Sequence, residues 1–177
     1  MAVNKSTKRL AICAMLSAVS VVLLYVGAVT QLLDMTMAVL ASLCTVAAVI
    51  EYGGVAPWLV YAVSGVLGFL LCLGGGANPE ISFMYILFFG FYPILKEKLE
   101  KKKKWVSWVL KEVIFNVALA ALAVISKFLF MSNATEPVPV VISFFVLAEI
   151  AFPIYDIALT RLITLYIFKI RPKIKHK

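Results

Sequence analysis

The chain alternates between long apolar stretches and short polar breaks, and this alternation predicts its elements. A helix that crosses a membrane needs about 20 mainly apolar residues at a rise of about 1.5 Å per residue. Six stretches meet or approach this length. We therefore predict an all-α, six-helix membrane bundle with helices at residues 10–28, 34–50, 55–73, 81–95, 105–131 and 140–168.

The breaks between the stretches carry residues that favour turns. Residues 51–54 contain two glycines, residues 74–80 contain three glycines and a proline, and residues 132–139 form a polar loop with two prolines. Pro57 lies near the start of the third helix, where a missing N–H costs little. Pro153 lies near the middle of the last helix and is expected to kink it.

The first stretch has one alternative interpretation. A basic start, an apolar stretch and the small residues at 26–28 are also features of a cleaved signal peptide. The apolar stretch is longer than the apolar core of a usual signal peptide, so we expect a retained helix.

Composition supports a membrane environment for most of the chain. Of its 177 residues, 63% are hydrophobic and only 15% are charged, and the mean hydropathy is +1.02. Soluble domains are about half apolar and about a quarter charged. This excess of apolar residues excludes a soluble enzyme, a secreted disulfide scaffold and a free nucleic-acid-binding domain, and predicts one membrane domain over residues 1–177, located in the cell membrane.

The distribution of charge predicts the orientation of the helices. The formal net charge is +8, and most basic residues fall in three clusters at 5–9, 96–104 and 169–177. Basic residues collect on the cytoplasmic flanks of membrane helices, and an even number of predicted crossings separates each pair of clusters. We therefore expect both termini and the basic loop 96–104 to be cytoplasmic. Anionic lipid is the expected partner of the basic loops, and no nucleic acid is expected.

The chain offers little for catalysis or metal binding. Cys13, Cys44 and Cys72 lie far apart in apolar stretches and form no Cys-x-x-Cys pair, and His176 is the one histidine. We expect no catalytic residue, no metal site and no cofactor, and therefore no enzyme.

Several polar side chains in the last two predicted helices need an explanation, because ionisable groups inside a bilayer cost a few kcal/mol. They are Lys111, Glu112, Asn116, Glu149, Asp156 and Arg161. A structural ion pair with lysine snorkelling is the favoured interpretation of the residues near the interface, namely Lys111, Glu112 and Arg161, and a functional role is the alternative.

Glu149 and Asp156 lie deeper in the last helix. They are seven residues apart and therefore share a helix face with Pro153 and Thr160. A carboxyl group at this depth either becomes neutral or faces a polar cavity. Two interpretations stay open: a ligand or ion site, and hydrogen bonding to the other polar residues of the last two helices.

The fourth helix and the loop before it contain further candidates. Tyr85 and Phe88 belong to an aromatic series at helical spacing, which is either a packing face or a wall for a planar ligand. Asn78 and Glu80 lie in the glycine-rich loop, which is either an outer gate with polar contacts or an ordinary turn.

Small residues mark helix contacts, because they let helix backbones approach closely in lipid. Ala14 and Ala18 lie one turn apart on the first helix, and Ser64, Gly65 and Gly68 lie together on the third. Contact within the bundle and contact with another protein are both possible interpretations.

The residues at 8–18, Lys-Arg-Leu-Ala-Ile-Cys-Ala-Met-Leu-Ser-Ala, follow a basic N-terminal flank. Together with the six-helix topology, this segment resembles the start of the substrate-binding S components of energy-coupling factor (ECF) transporters. The resemblance implies that Ala14 and Ala18 contact a transmembrane coupling subunit. It also implies that ABC-type ATPases supply the energy, and the chain itself has no Walker motif.

The sequence therefore predicts a membrane-embedded solute-binding subunit for a vitamin or other small metabolite. The expected small-molecule contacts are Glu149, Asn116, Asn78, Glu80, Tyr85 and Phe88, with Asp156 either at the ligand or stabilising the bundle. The alternative is a non-transporting membrane scaffold in a larger complex, and a third possibility is an ion-coupled carrier that uses Glu149 and Asp156.

Overall fold

The computed structural model of the chain describes residues 5–30, 33–129 and 138–170, and the regular structure in these ranges is entirely helical. The α-helices are α1 (Lys5–Thr30), α2 (Asp34–Glu51), α3 (Ala56–Gly74), α4 (Glu80–Met84), α5 (Tyr92–Leu99), α6 (Lys104–Leu129) and α7 (Val138–Leu165). A π-helical segment, Tyr85–Phe89, follows α4 directly and precedes α5. A second π-helical segment, Tyr166–Ile170, continues α7.

Five helices within the described residues are long and apolar enough to cross a membrane: α1, α2, α3, α6 and α7. Their positions agree with five of the six predicted helices to within a few residues at most ends, although α1 already begins at Lys5. The helix α7 continues through Pro153. Most of the predicted loop at 132–139 lies outside the described residues, as does most of the C-terminal basic cluster.

The fourth predicted helix, 81–95, differs from the expectation. Residues 80–99 form three short helical segments in succession, α4, the π segment and α5, with a turn at Gly90 and Phe91. We call residues 80–99 the interrupted helix. Pro93 is one cause of the interruption, because it lacks the N–H that would bond to the carbonyl of Phe89 in a continuous α-helix.

The chain divides into two compact units, residues 1–126 and residues 127–177. The first contains α1, α2, α3, the interrupted helix and most of α6. The second contains the end of α6 and α7.

Small side chains fill much of the core of the first unit. One cluster joins Leu24 and Ala28 of α1 to alanines of α2, to Cys72 of α3 and to Tyr85 of the interrupted helix. Close approach is visible at Gly68, where an added Cβ atom would lie 2.9 Å from Leu24 Cδ1. The absence of a side chain at Gly68 therefore leaves room for Leu24 of α1 against α3.

Large apolar side chains are exposed on each of the five long helices. Examples are Leu10 on α1, Leu40 on α2, Val66 on α3, Val117 on α6 and Leu147 on α7. Extensive apolar exposure of this kind is what a lipid-facing surface requires, and it is rare on monomeric soluble proteins.

Candidate functional site

Four hydroxyl side chains meet in the core of the first unit, and we call them the hydroxyl cluster. Its members are Ser20 of α1, Thr45 of α2, Ser64 of α3 and Tyr85 of the interrupted helix, and all four are 0% exposed. Each comes from a different element. The cluster therefore marks the place where the four elements converge.

The hydroxyl groups of Thr45, Tyr85 and Ser64 form a chain of hydrogen bonds in which each hydroxyl donates to the next group. Ser64 Oγ donates to the carbonyl of Val60 at 2.6 Å and lies 2.8 Å from Tyr85 Oη. Because a serine hydroxyl has one proton, Ser64 accepts the proton of Tyr85 when it donates to Val60. Thr45 Oγ1, 3.1 Å from Tyr85 Oη, is then the donor to the tyrosine.

Ser20 joins the same region through the backbone of α2. Its hydroxyl donates to the carbonyl of Ala41 at 3.0 Å. Buried hydroxyl groups in apolar surroundings need such partners, since an unmade hydrogen bond is costly there.

The interruption of the fourth apolar segment lies beside this cluster. The amide of Gly90 donates to the carbonyl of Tyr85 at 2.7 Å, which is the i to i−5 bond of a π-helix. The hydroxyl of Tyr61 on α3 donates to the carbonyl of Ile86 at 2.8 Å. A side chain of a neighbouring helix thus satisfies a backbone group within the π segment.

Aromatic rings surround the interruption on two sides. Phe88 lies 4.9 Å from the ring of Tyr92 and 5.2 Å from the ring of Phe115 on α6. On the other side, Tyr61 lies 6.3 Å from Tyr85 and 6.5 Å from Phe91. The predicted site residues Tyr85 and Phe88 are both buried in this aromatic layer.

Asn78 and Glu80 lie together at the start of α4. Asn78 Oδ1 accepts a hydrogen bond from the amide of Glu80 at 3.0 Å, and Asn78 Nδ2 donates to Glu80 Oε2 at 3.4 Å. The first bond is the local turn that Asn side chains favour. Both side chains are half-buried, so this loop combines turn geometry with accessible polar groups.

The remaining predicted contacts lie on the last two long helices. Asn116 is exposed on α6, and its Nδ2 donates to the carbonyl of Glu112 at 3.1 Å. On α7, Glu149 is half-buried and Asp156 is buried. Asp156 shares its buried face of α7 with Phe152 and Leu159.

The small-residue patches have different surroundings. Ala14 and Ala18 are exposed on α1. Ser64, Gly65 and Gly68 on α3 are buried, and an added Cβ atom at Gly65 would lie 2.9 Å from Ile86 Cγ1. The patch on α3 therefore serves contact within the chain, whereas the patch on α1 is accessible.

The basic loop is shorter than predicted, because α5 extends to Leu99 and α6 begins at Lys104. Lys96 is only 1% exposed, and its Nζ lies 3.1 Å from Glu100 Oε1. Lys111 of α6 is also buried, and its Nζ lies 3.5 Å from the same oxygen. Glu100 thus links α5 to α6.

The sequence interpretation did not include Ser20, Thr45, Tyr61 and Phe115. A polar side chain in the middle of an apolar helix is the pattern that marks Ser20 and Thr45, since such groups seek partners across helices in lipid. No pattern in the sequence connects Phe115 with Phe88, because their contact depends on how α6 packs.

The described residues hold no group of three or more His, Cys, Asp and Glu side chains arranged to bind a metal ion. Their chemistry is instead that of hydroxyl groups, aromatic rings and a few carboxylates. In comparisons with known proteins, no protein-family model, no curated protein and no solved structure matches this chain.

Proposed function

We propose that the chain is a membrane-embedded solute-binding subunit of an ECF-type importer for a vitamin or another small metabolite. In this function it hydrolyses no ATP itself. A transmembrane coupling subunit and ABC-type ATPases are its partners.

The observation that carries this proposal is the interrupted helix. Irregular backbone at membrane depth is tolerated where it is buried in protein or lines a cavity, and broken helices are a recurrent way to build solute sites near the bilayer midplane. The interruption follows Tyr85, whose partner Ser64 lies near the middle of α3. A pure scaffold needs no such break, whereas a broken helix is a recurrent element of solute sites.

The side chains near the interruption suit a small, partly planar solute. Tyr85 and Phe88 belong to the buried aromatic layer beside the interruption, and the hydroxyl cluster holds Tyr85 in place. Asn78 and Glu80 add polar groups at the start of the same interrupted helix. In the proposal, Glu149 and Asn116 contribute polar contacts, and Asp156 either contacts the ligand or stabilises the bundle.

The exposed patch on α1 supports the assignment of partners. Ala14 and Ala18 are accessible while most other small residues of α1 to α3 are buried. An accessible small-residue face is suited to close contact with another membrane helix. This is the role that the resemblance to S components implies for these two alanines.

Ligand-dependent thermal stability tests the proposal. The purified full chain is heated with members of a panel of vitamins and small metabolites. One compound class should raise the melting temperature, because a ligand that binds only the folded state stabilises it. Glu149→Gln and Asn116→Ala should weaken the apparent affinity by about tenfold each, the typical effect of losing a hydrogen bond to a charged or buried group.

Glu97→Gln is the matched control, because Glu97 is exposed and pairs with Lys101 at the surface. It should respond to the ligand as the unmodified chain does. If no compound stabilises well-folded protein, the solute-binding proposal is wrong and the scaffold function is favoured.

A further inference from the structure

A cleft of about 490 Å³ lies at one end of the first unit, between the start of α1 and the turn from α2 to α3. The buried side chains of Cys13 and Ala56 line its inner part. Leu10, Val55 and Leu59 line it as well, and they are 63%, 68% and 46% exposed. The cleft therefore has an apolar lining that is open to the surroundings.

The helix ends beside the cleft indicate its depth in a membrane. The helices α1 and α3 begin beside it and α2 ends beside it, and all three are long and apolar enough to cross a membrane. The ends of such helices lie where lipid headgroups meet the hydrocarbon core. An occupant of the cleft would thus have its polar part at headgroup depth.

Arg9 is held at the cleft by two contacts. Its Nη2 donates to the carbonyl of Gly53 at 3.2 Å, and its guanidinium lies 5.7 Å from the centre of the Tyr52 ring. Gly53 and Gly54 both have φ of 57°, a left-handed conformation that glycine adopts readily. The bond to Gly53 uses one of the five N–H donors of the guanidinium.

Tyr52 contributes a neutral ring to this arrangement. Desolvation raises the pKa of its phenol above the usual value, and Cys13 and Glu51 raise it further, while Arg9 lowers it. The phenol is therefore protonated near neutral pH. The Arg9 guanidinium lies over a neutral aromatic face, a geometry that favours a cation.

Arg9 supplies positive charge in the lining of the cleft. Lys8 precedes it in α1, and Glu51 is the acidic residue at the end of α2. A planar guanidinium with free donors recognises a phosphate group. The neighbouring apolar lining suits a hydrocarbon chain.

We infer that this cleft binds an anionic phospholipid, with the lipid phosphate on Arg9 and the first part of an acyl chain against Leu10, Val55 and Leu59. The site is separate from the basic residues around Lys101 to Lys104 and from the interrupted helix. It does not depend on the proposed transport function.

Lipid titration of the purified full chain in nonionic detergent tests the inference. Phosphatidylglycerol and phosphatidylcholine with identical acyl chains are compared by the rise in melting temperature, together with inorganic phosphate and glycerol 3-phosphate. Phosphatidylglycerol should stabilise the chain at concentrations where the other three have little effect. Arg9→Gln should weaken its apparent affinity by about tenfold, because a charge-assisted hydrogen bond is lost.

Two further variants make the test specific. Lys102→Gln removes the same charge from the exposed turn after α5 and should change the affinity by less than about twofold, since exposed charges are well screened. Val55→Trp fills the cleft and leaves Arg9 in place, so it should reduce phosphatidylglycerol binding even if Arg9→Gln does not fold.

Four results would overturn the inference. Three are equal stabilisation by phosphatidylcholine, equal stabilisation by the soluble phosphates, and unchanged phosphatidylglycerol binding in Val55→Trp. The fourth is a larger loss of affinity in Lys102→Gln than in Arg9→Gln, which would place the lipid at the turn after α5 instead.

Discussion

At the scale of single residues, Gly90 controls how closely α3 approaches the interrupted helix. Its backbone is helical, with φ of −74° and ψ of −42°, so the residue is needed here for space and not for an unusual conformation. A Cβ atom at this position would lie 2.6 Å from Tyr61 Cδ2 and 2.8 Å from Tyr85 Cε1. Both rings are held by hydrogen bonds of their hydroxyl groups.

Gly90→Ala should therefore lower the free energy of unfolding by about 1–3 kcal/mol, the usual cost of overpacking. Denaturation of the purified protein in detergent measures it. Gly74→Ala is the matched control, because nothing lies within 4 Å of an added Cβ atom there. A loss at Gly90 no greater than that at Gly74 would contradict the close packing of Tyr61 and Tyr85.

Tyr85 is a predicted ligand contact, and its hydroxyl group is hydrogen-bonded to Thr45 and Ser64 in the structure. Tyr85→Phe removes the acceptor of Thr45 and the donor to Ser64 but keeps the ring. The free energy of unfolding should fall by about 1–2 kcal/mol, because two hydroxyl groups lose a partner in apolar surroundings. Tyr25→Phe, at a half-buried ring on α1, provides the comparison. Equal losses in the two variants would mean that the hydroxyl cluster adds no stability.

At the scale of elements, Glu100 connects two helices through buried lysines. It lies directly after α5 and interacts with Lys96 of α5 and Lys111 of α6. Both ammonium groups are almost fully buried, while Glu100 is 45% exposed. Removing the carboxylate that pairs with a buried ammonium group destabilises the folded state. The ion pair offsets part of the free energy needed to take the ammonium group out of water, and this offset is lost.

Glu100→Gln should lower the free energy of unfolding by about 1–3 kcal/mol, less than for a fully buried pair because the carboxylate is partly solvated. Glu97→Gln breaks the exposed pair with Lys101 and should cost less than about 0.5 kcal/mol. Unfolding in detergent at low and high salt measures both. Similar losses in the two variants would show that the contacts of Glu100 between α5 and α6 stabilise the fold no more than an exposed ion pair does.

At the scale of the whole molecule, the number of membrane crossings depends on the interrupted helix. Five helices in the described residues are long and apolar enough to cross, and the interrupted helix is the remaining candidate. Its three segments together span residues 80–99. A continuous α-helix of 20 residues would reach about 30 Å, the thickness of the hydrocarbon core. Residues 80–99 include the turn at Gly90 and Phe91, so they reach this length only where the three segments run in nearly the same direction.

Cysteine labelling decides whether residues 80–99 cross the membrane. Gly74→Cys lies before the interrupted helix and Lys102→Cys lies after it, both at exposed positions. With an impermeant maleimide, Gly74→Cys should react in intact cells and Lys102→Cys only after permeabilisation. Cys13, Cys44 and Cys72 are buried, which keeps the background low. Reaction of both variants from the same side would show a re-entrant segment and contradict the predicted orientation.

The helical, apolar character of the chain could be predicted from the sequence because it depends on the hydropathy of each segment alone. The hydropathy of stretches of about 20 residues, together with the glycines between the stretches, predicted α2, α3 and α6. Most of the predicted ends lie within two residues of the ends in the structure. The predicted start of the fourth segment lies within one residue of Glu80, but its end lies four residues before Leu99 and its interruption was not predicted, although Gly90 and Pro93 are in the sequence. A continuous helix and a broken one have the same hydropathy.

The candidate site was predicted only in part, because its contacts join distant segments. The sequence singled out Tyr85 and Phe88, but the partners Thr45, Ser64 and Phe115 depend on which helix faces pack together. Lys96 was assigned to the cytoplasmic basic loop, yet it lies in α5 and is buried beside Glu100. The sequence by itself determined that most of this chain is helical and suited to lipid, since those properties are carried by each segment alone. Only the tertiary structure decided which polar groups lose water and which partners they find, since that depends on packing between segments.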